Sequence, residues 1–116
     1  ATTEEVVEPV AQLTVGMILA LARNIPFHLA ESRQGRWTKR TGALLSEWTI
    51  GLIGFGRIGQ AVQRYLRPFG PRTLVADPRL SPQAVPDGVE LRQLASLLAE
   101  ADLISLHAGR RPEEGR

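Results

Sequence analysis

Six residues, Gly54-Phe55-Gly56-Arg57-Ile58-Gly59, constrain this chain more than any others because of what stands on either side of them. An apolar run at 48–53 leads directly into the first glycine. After the last, Ile58, Val62, Tyr65, Leu66 and Phe69 recur at helical spacing until Gly70 and Pro71 end the pattern. A second apolar run at 72–76 closes on Asp77-Pro78. Glycine occupies 11 of the 116 positions, so the spacing alone is weak. The order strand, glycine turn, helix, strand, acid is far more specific.

Each glycine has a physical task in such a turn. Gly54 lets the strand turn sharply, Gly56 leaves the backbone bare for a pyrophosphate, and Gly59 lets the helix pack closely on the sheet. First-turn N–H groups, around Arg57 and Ile58, then face the phosphates with the positive end of the helix dipole. The Arg57 side chain either adds a charged contact or stays in solvent. Asp77 lies 18 residues beyond Gly59, at the carboxyl end of the next strand. A carboxylate there accepts hydrogen bonds from adenosine ribose hydroxyls and repels a 2′-phosphate, which favours NAD over NADP. Arg79, two residues on, pulls the other way, since a cation there can partner a phosphate. The plain alternative is a tight strand-to-helix turn with an ordinary strand-ending Asp-Pro.

Beyond Asp77 the theme repeats. Residues 81–88 read as loop with one turn of helix, and 89–91 as a stub of strand. Leu94, Leu97, Leu98 and Ala101 mark a short amphipathic helix, and 103–106 a third parallel strand ending at His107. Alternating strands and helices imply an α/β fold, a partial Rossmann-type doubly wound parallel sheet, with a long N-terminal helix before it. His107 and Ala108 fall at the carboxyl end of the sheet, the ligand side. His107 is either a packed, hydrogen-bonded residue or a cofactor contact. As a general base it lacks a carboxylate in evident pairing geometry, the nearest acids being Asp102 and Glu113. The expected cofactor-binding set is Gly54, Phe55, Gly56, Arg57, Ile58, Gly59, Asp77, His107 and Ala108.

The first 23 residues are helical in pattern. Val6, Val10, Leu13, Met17 and Leu21 share one face, Thr3 is placed to cap, and Glu4, Glu5 and Glu8 suit the dipole. Pro9 suggests that the regular helix starts there, and Pro26 that it ends. Val15, Ile18, Leu19 and Ala22 fill the other faces, and a helix apolar all round needs two neighbours, the second being another chain or a missing domain. Residues 31–45, with Gly35, Gly42, Arg33, Arg36, Lys39 and Arg40, read as a solvated basic arm with Trp37 lying on the body. The chain thus divides into a helix (1–30), an arm (31–47), a βαβ core (48–107) and a polar tail (108–116).

Composition removes several classes. Without cysteine there is no disulfide, thiolate zinc site or thiol nucleophile. His28 and His107 are too far apart in sequence to suggest a shared metal site, so no metal is expected. A net charge of +2 is too balanced to imply a nucleic-acid or membrane partner. The acidic start is no signal peptide, and the uninterrupted apolar stretch 15–22 is shorter than the ~20 residues of a membrane span. A soluble, cytoplasmic protein is expected.

Several segments together resemble the cofactor domain of the D-isomer-specific 2-hydroxyacid dehydrogenases. They are Glu8-Pro9-Val10-Ala11-Gln12-Leu13-Thr14 with residues 19–26, Gly35-Arg36-Trp37, residues 49–59, and residues 101–107 running to His107. The resemblance covers most of the chain and implies hydride transfer between NAD and a 2-hydroxy or 2-keto acid. It implies that Asp77 holds the adenosine ribose and the Arg57–Ile58 backbone the pyrophosphate. It also implies homodimerisation through the first helix and arm. Departures are Gln12 for glutamate and Glu47-Trp48 for Gly-Lys. The family's catalytic arginine, glutamate and histidine have no counterpart in these 116 residues, so no catalytic residue is assigned and the chain alone is expected to be inactive. The alternatives are a non-catalytic NAD-binding or dimerisation module, and a fragment that folds only in part.

Overall fold

The computed structural model describes residues 3–107, with side chains from Glu5 onward. Four strands, β1 (Thr49–Ile53), β2 (Arg72–Ala76), β3 (Val89–Leu91) and β4 (Leu103–Leu106), form one parallel sheet in the order β3-β2-β1-β4. The chain steps outward from β1 to β3, then crosses back to lay β4 on the other side of β1. That reversal places a topological switch point at the carboxyl ends of β1 and β4, where α/β sheets bind ligands. The stub at 89–91 is a full member of the sheet, so the strand at 103–106 is the fourth in the chain.

Strand alternation sorts the core onto the two faces of the sheet. Ile50, Leu52 and Val75 pack with Ala61, Val62 and Leu66 of α3 (Arg57–Leu66). Leu74 and Ala76 pack with Leu97 of α4 (Leu94–Glu100). Leu52, Leu66, Leu74 and Leu97 are fully buried, each worth roughly 1.5–3 kcal/mol of transfer free energy. Gly51 permits the second layer, because a Cβ there would lie 2.6 Å from Leu97 Cδ2. At the far end of the sheet Arg72, Glu90, Arg92 and Glu100 close a ring of ion pairs of 2.7 to 3.1 Å joining β2, β3 and α4. Hydrogen bonds from Arg72, then Arg92, outweigh desolvation and hold the Glu90 carboxyl down to about 2.

The first helix, α1, runs over Thr3–Ala22 without interruption. Thr3 is already helical rather than a cap, and Pro9 lies inside the helix instead of opening it. The proline ring is tolerated near the start because it removes only one hydrogen bond, the one to the Glu5 carbonyl, from an exposed early turn. Pro26 does not end this helix. Asn24, with φ +57°, turns the chain in the left-handed region, and Pro26 sits in the first turn of α2 (Ile25–Arg33), where no N–H is missed.

Val7, Ala11, Ile18 and Ala22 face the core, and α1 lies along α3. Glu8 reaches Arg64 at 3.5 Å. The stripe of Val6, Val10, Leu13, Met17 and Leu21 therefore faces out, with Leu13 65% and Met17 59% exposed. By length and composition alone α1 is also apolar enough to cross a membrane, with mean hydropathy 1.5 over Glu5–Ala22, although its uninterrupted apolar run is short. Packing of its inner side on α3 accounts for part of that apolarity.

The arm is anchored at both ends and bare in the middle. Glu31 accepts from Arg36 Nη2 at 2.7 Å and Thr38 Oγ1 at 2.6 Å. Ala43 N–H donates to Ala22 O at 2.9 Å, and a Cβ on Gly42 would collide with that same carbonyl. Trp37 does not lie on the body; it is 97% exposed. Extended arm and uncovered helix give a radius of gyration of 16.1 Å, against roughly 13 Å for a compact chain of about 100 residues.

Candidate functional site

At the end of β1, Gly54 turns the chain with φ +94°, which a side chain would strain. Its N–H donates to Ala76 O at 2.9 Å, binding the turn to β2. Phe55 follows with its ring buried in the core. Its N–H donates to Asp77 Oδ2 at 2.8 Å, and its carbonyl accepts from Gln60 Nε2 at 3.0 Å. Gly56 caps α3 in an extended conformation, and its carbonyl accepts the Gln60 N–H at 2.9 Å.

The glycines divide their work in a way the spacing alone did not specify. A Cβ on Gly56 would meet nothing within 4 Å, so the backbone there faces open space. On Gly59 it would stand 2.7 Å from Gly54 O and 3.7 Å from Phe55 Cδ1. Gly59 thus lets α3 close against the turn itself, rather than against the sheet as a whole. Arg57, exposed, and Ile58, half-buried, occupy the first two helical positions, where N–H groups have no acceptor within the helix.

Asp77 sits beside this turn, its side chain only 6% exposed. Oδ1 accepts the Arg79 N–H at 2.9 Å and lies 3.7 Å from Arg79 Nε. Burial pushes its pKa up, but the N–H groups of Arg79 and Phe55 and the Arg79 charge outweigh that and hold it below the usual carboxylate value. Both oxygens keep lone-pair capacity for a hydroxyl. Next to it a cavity of about 600 Å³ opens at the carboxyl ends of β1 and β2, bounded by Ile53, Pro78, Leu80, Leu91 and Leu94. Arg92 also borders it, with its guanidinium held by Glu90 and Glu100.

His107 continues β4, donating its N–H to Ile53 O at 2.7 Å. Its Nε2 is 2.7 Å from Ser105 Oγ, and burial lowers its pKa, favouring the neutral ring. Asp102 is at the opposite end of the strand, accepting the Thr49 N–H at 2.7 Å, so it does not orient this histidine. Ala108 and Glu113 lie outside the described residues. Among the described residues no cluster of three or more histidines or acids could hold a metal ion. The structure thus brings Gly54, Phe55, Gly56, Arg57, Ile58, Gly59 and Asp77 together, with His107 on the adjoining strand. Gln60 went unnoticed in the sequence; its one signal is a polar amide just beyond the third helical position used by capping boxes.

A family model for the D-isomer specific 2-hydroxyacid dehydrogenase, NAD binding domain, matches residues 15–115. The chain belongs to this family. Among the dehydrogenases it resembles, D-3-phosphoglycerate dehydrogenase of Mycobacterium tuberculosis (strain ATCC 25618 / H37Rv) is 38% identical over 106 residues, 89% of this chain and 20% of that protein. Hydroxypyruvate reductase of Thermotoga maritima is 40% identical over 100 residues, 84% of this chain and 32% of the relative. D-lactate dehydrogenase from Aquifex aeolicus, solved in complex with NAD and lactic acid, superposes with TM-score 0.79 at 31% identity, covering 90% of this chain and 32% of that one. The chain therefore spans about a fifth to a third of the length of the relatives it matches.

The residues present fit NAD. Open backbone at Gly56, helical N–H groups at Arg57 and Ile58, and a buried carboxylate beside a cavity of nucleoside size are what a dinucleotide requires.

Proposed function

We propose that this chain supplies the NAD-binding part of an oxidoreductase acting on a D-2-hydroxy or 2-keto acid. The observation that carries this is the open ledge at Gly56, facing the first turn of α3 with Asp77 and its cavity alongside. The Arg57 and Ile58 N–H groups hold the pyrophosphate, charge-assisted by the helix dipole. Asp77 accepts from the adenosine ribose through lone pairs that Phe55 and Arg79 leave free, selecting NAD. His107, neutral and tied to Ser105, lines the cofactor side of the sheet and acts as neither acid nor base. Bound NAD supplies the two-electron acceptor for oxidation of the substrate alcohol. The groups that polarise the carbonyl and move its proton come from the remainder of the protein, so the 116 residues alone do not turn over.

The exposed stripe of α1 and the projecting Trp37 support homodimerisation through helix and arm, since a twofold contact would cover both copies of one apolar face. Calorimetric titration with NADH and NADPH tests the cofactor reading. Saturable binding of NADH in preference to NADPH is expected, and absence of heat with either would refute it for this chain.

A further inference from the structure

A glycine-rich turn that binds an anion has a weakness built into it. Gly56 is free to adopt either sign of φ, so the peptide joining Phe55 to Gly56 can flip at little cost. A flip would replace an N–H directed at the anion by a carbonyl oxygen, turning attraction into repulsion. In a trans peptide the C=O and N–H point in opposite directions, so whatever holds one end aims the other.

Gln60 holds that end. Its Nε2 donates to Phe55 O at 3.0 Å from the first turn of α3, and its own N–H is fixed on Gly56 O at 2.9 Å. Asp77 pins the preceding peptide through the Phe55 N–H. Phe55 is thereby clamped at both backbone atoms, with its ring anchored in the core. The Gly56 N–H donates to no other described residue, and a Cβ on Gly56 would meet nothing within 4 Å.

We propose that Gln60 is a positioning residue for the diphosphate: it locks the Phe55–Gly56 peptide so that the Gly56 N–H joins those of Arg57 and Ile58 as a third anion donor. This rests on the NAD-binding reading above. ADP and adenosine separate the two, because they share the nucleoside and differ in the diphosphate. Gln60→Met keeps side-chain length and helix propensity while removing the donor, and Gln60→Ala provides a second variant should the first fold poorly.

Both probes are titrated against the full chain, wild type and variants, with the Phe55 carbonyl ¹³C signal followed in parallel. ADP affinity should fall about fivefold, the effect of one hydrogen bond, while adenosine affinity stays unchanged. The Phe55 carbonyl signal should shift in the ligand-free variants, which a merely structural role for Gln60 elsewhere on the helix would not cause. Unchanged ADP binding in both variants, or an equal fall for ADP and adenosine, overturns the proposal. A wild-type chain that binds neither probe overturns the NAD-binding reading, and this one with it.

Discussion

Gly56→Val separates folding from ligand binding more cleanly than any other change in this chain. The native backbone at Gly56, with φ −76° and ψ −158°, is extended and open to L-residues. A Cβ would meet no atom within 4 Å, so the folded chain gains no clash. Two small terms then oppose one another. Glycine is a better helix N-cap than valine, a loss of about 1 kcal/mol, while removing a glycine from the unfolded chain contributes about 0.4–1 kcal/mol in favour of folding. The net is close to zero, and the melting temperature should move by no more than a few degrees. Binding is another matter, because the branched side chain fills the space through which a phosphate must reach within ~3 Å of backbone N–H groups. Losing two charge-assisted hydrogen bonds at roughly 1.5–3 kcal/mol each weakens NADH by at least about a hundredfold. Paired thermal melts and NADH titrations test this. Wild-type affinity in a folded variant would refute the assignment of this ledge to the pyrophosphate, whatever the family relationship.

Other substitutions test neighbouring parts of the same construction. Gly59→Ala, whose Cβ would stand 2.7 Å from Gly54 O, should destabilise by about 1–3 kcal/mol because the obstacle is backbone, and a melt within a degree of wild type would contradict the close approach. Asp77→Asn places an amide where two N–H donors converge and should cost about 1–3 kcal/mol. The Asp77 pKa is lowered on folding, so its contribution is complete above the ordinary value of 3.8 and fades as pH falls through the folded value. The gap between wild type and Asp77→Asn should therefore narrow below about pH 4 in acid melts, and a gap that widened there would refute the sign. Asp77→Ala should also reduce the preference for NADH over NADPH, measured as a ratio of affinities. Leu13→Glu combined with Met17→Glu should yield a monomer by sedimentation with the fold intact, whereas an unchanged dimer would move the interface elsewhere.

The turn was legible because its chemistry is local. Strand, glycine, helix and acid follow in order, and the roles of Gly54 and Gly56 depend on what stands next to them in the chain. The Asp77 carboxylate was legible as an acid at the end of β2, yet its partner, the Phe55 N–H, lies 22 residues away and became visible only when β1 and β2 paired. Gln60 was hidden for a related reason. A glutamine on a helix surface has no periodic signature, and its function is set by the direction in which the turn presents a carbonyl. His107 illustrates the opposite case: its place at the end of β4 was clear, but only the paired strands show Asp102 occupied at the far end and Ser105 on its ring nitrogen.

Helix α1 shows most clearly where periodicity stops being informative. Its apolar residues form two stripes, and the bulkier one, Leu13, Met17 and Leu21, is the more hydrophobic. Bulk alone would send that stripe to the core. The packed stripe instead contains Ala11 and Ala22 alongside Val7 and Ile18, where α3 lies along the helix and the arm closes on Ala22, whose carbonyl accepts the Ala43 N–H. Small residues mark where two helices meet within the chain, and large flexible ones gather where the surface is still open. Besides the row from Val6 to Leu21, Ile25 and Leu29 of α2 and the almost fully exposed Trp37 of the arm are also uncovered. Large exposed apolar side chains in a row along one helix face mark a candidate interaction surface, whereas singly scattered ones do not. The helix that looks over-supplied with apolar side chains is thus two half-surfaces back to back, one satisfied by α3 and the other open at the surface.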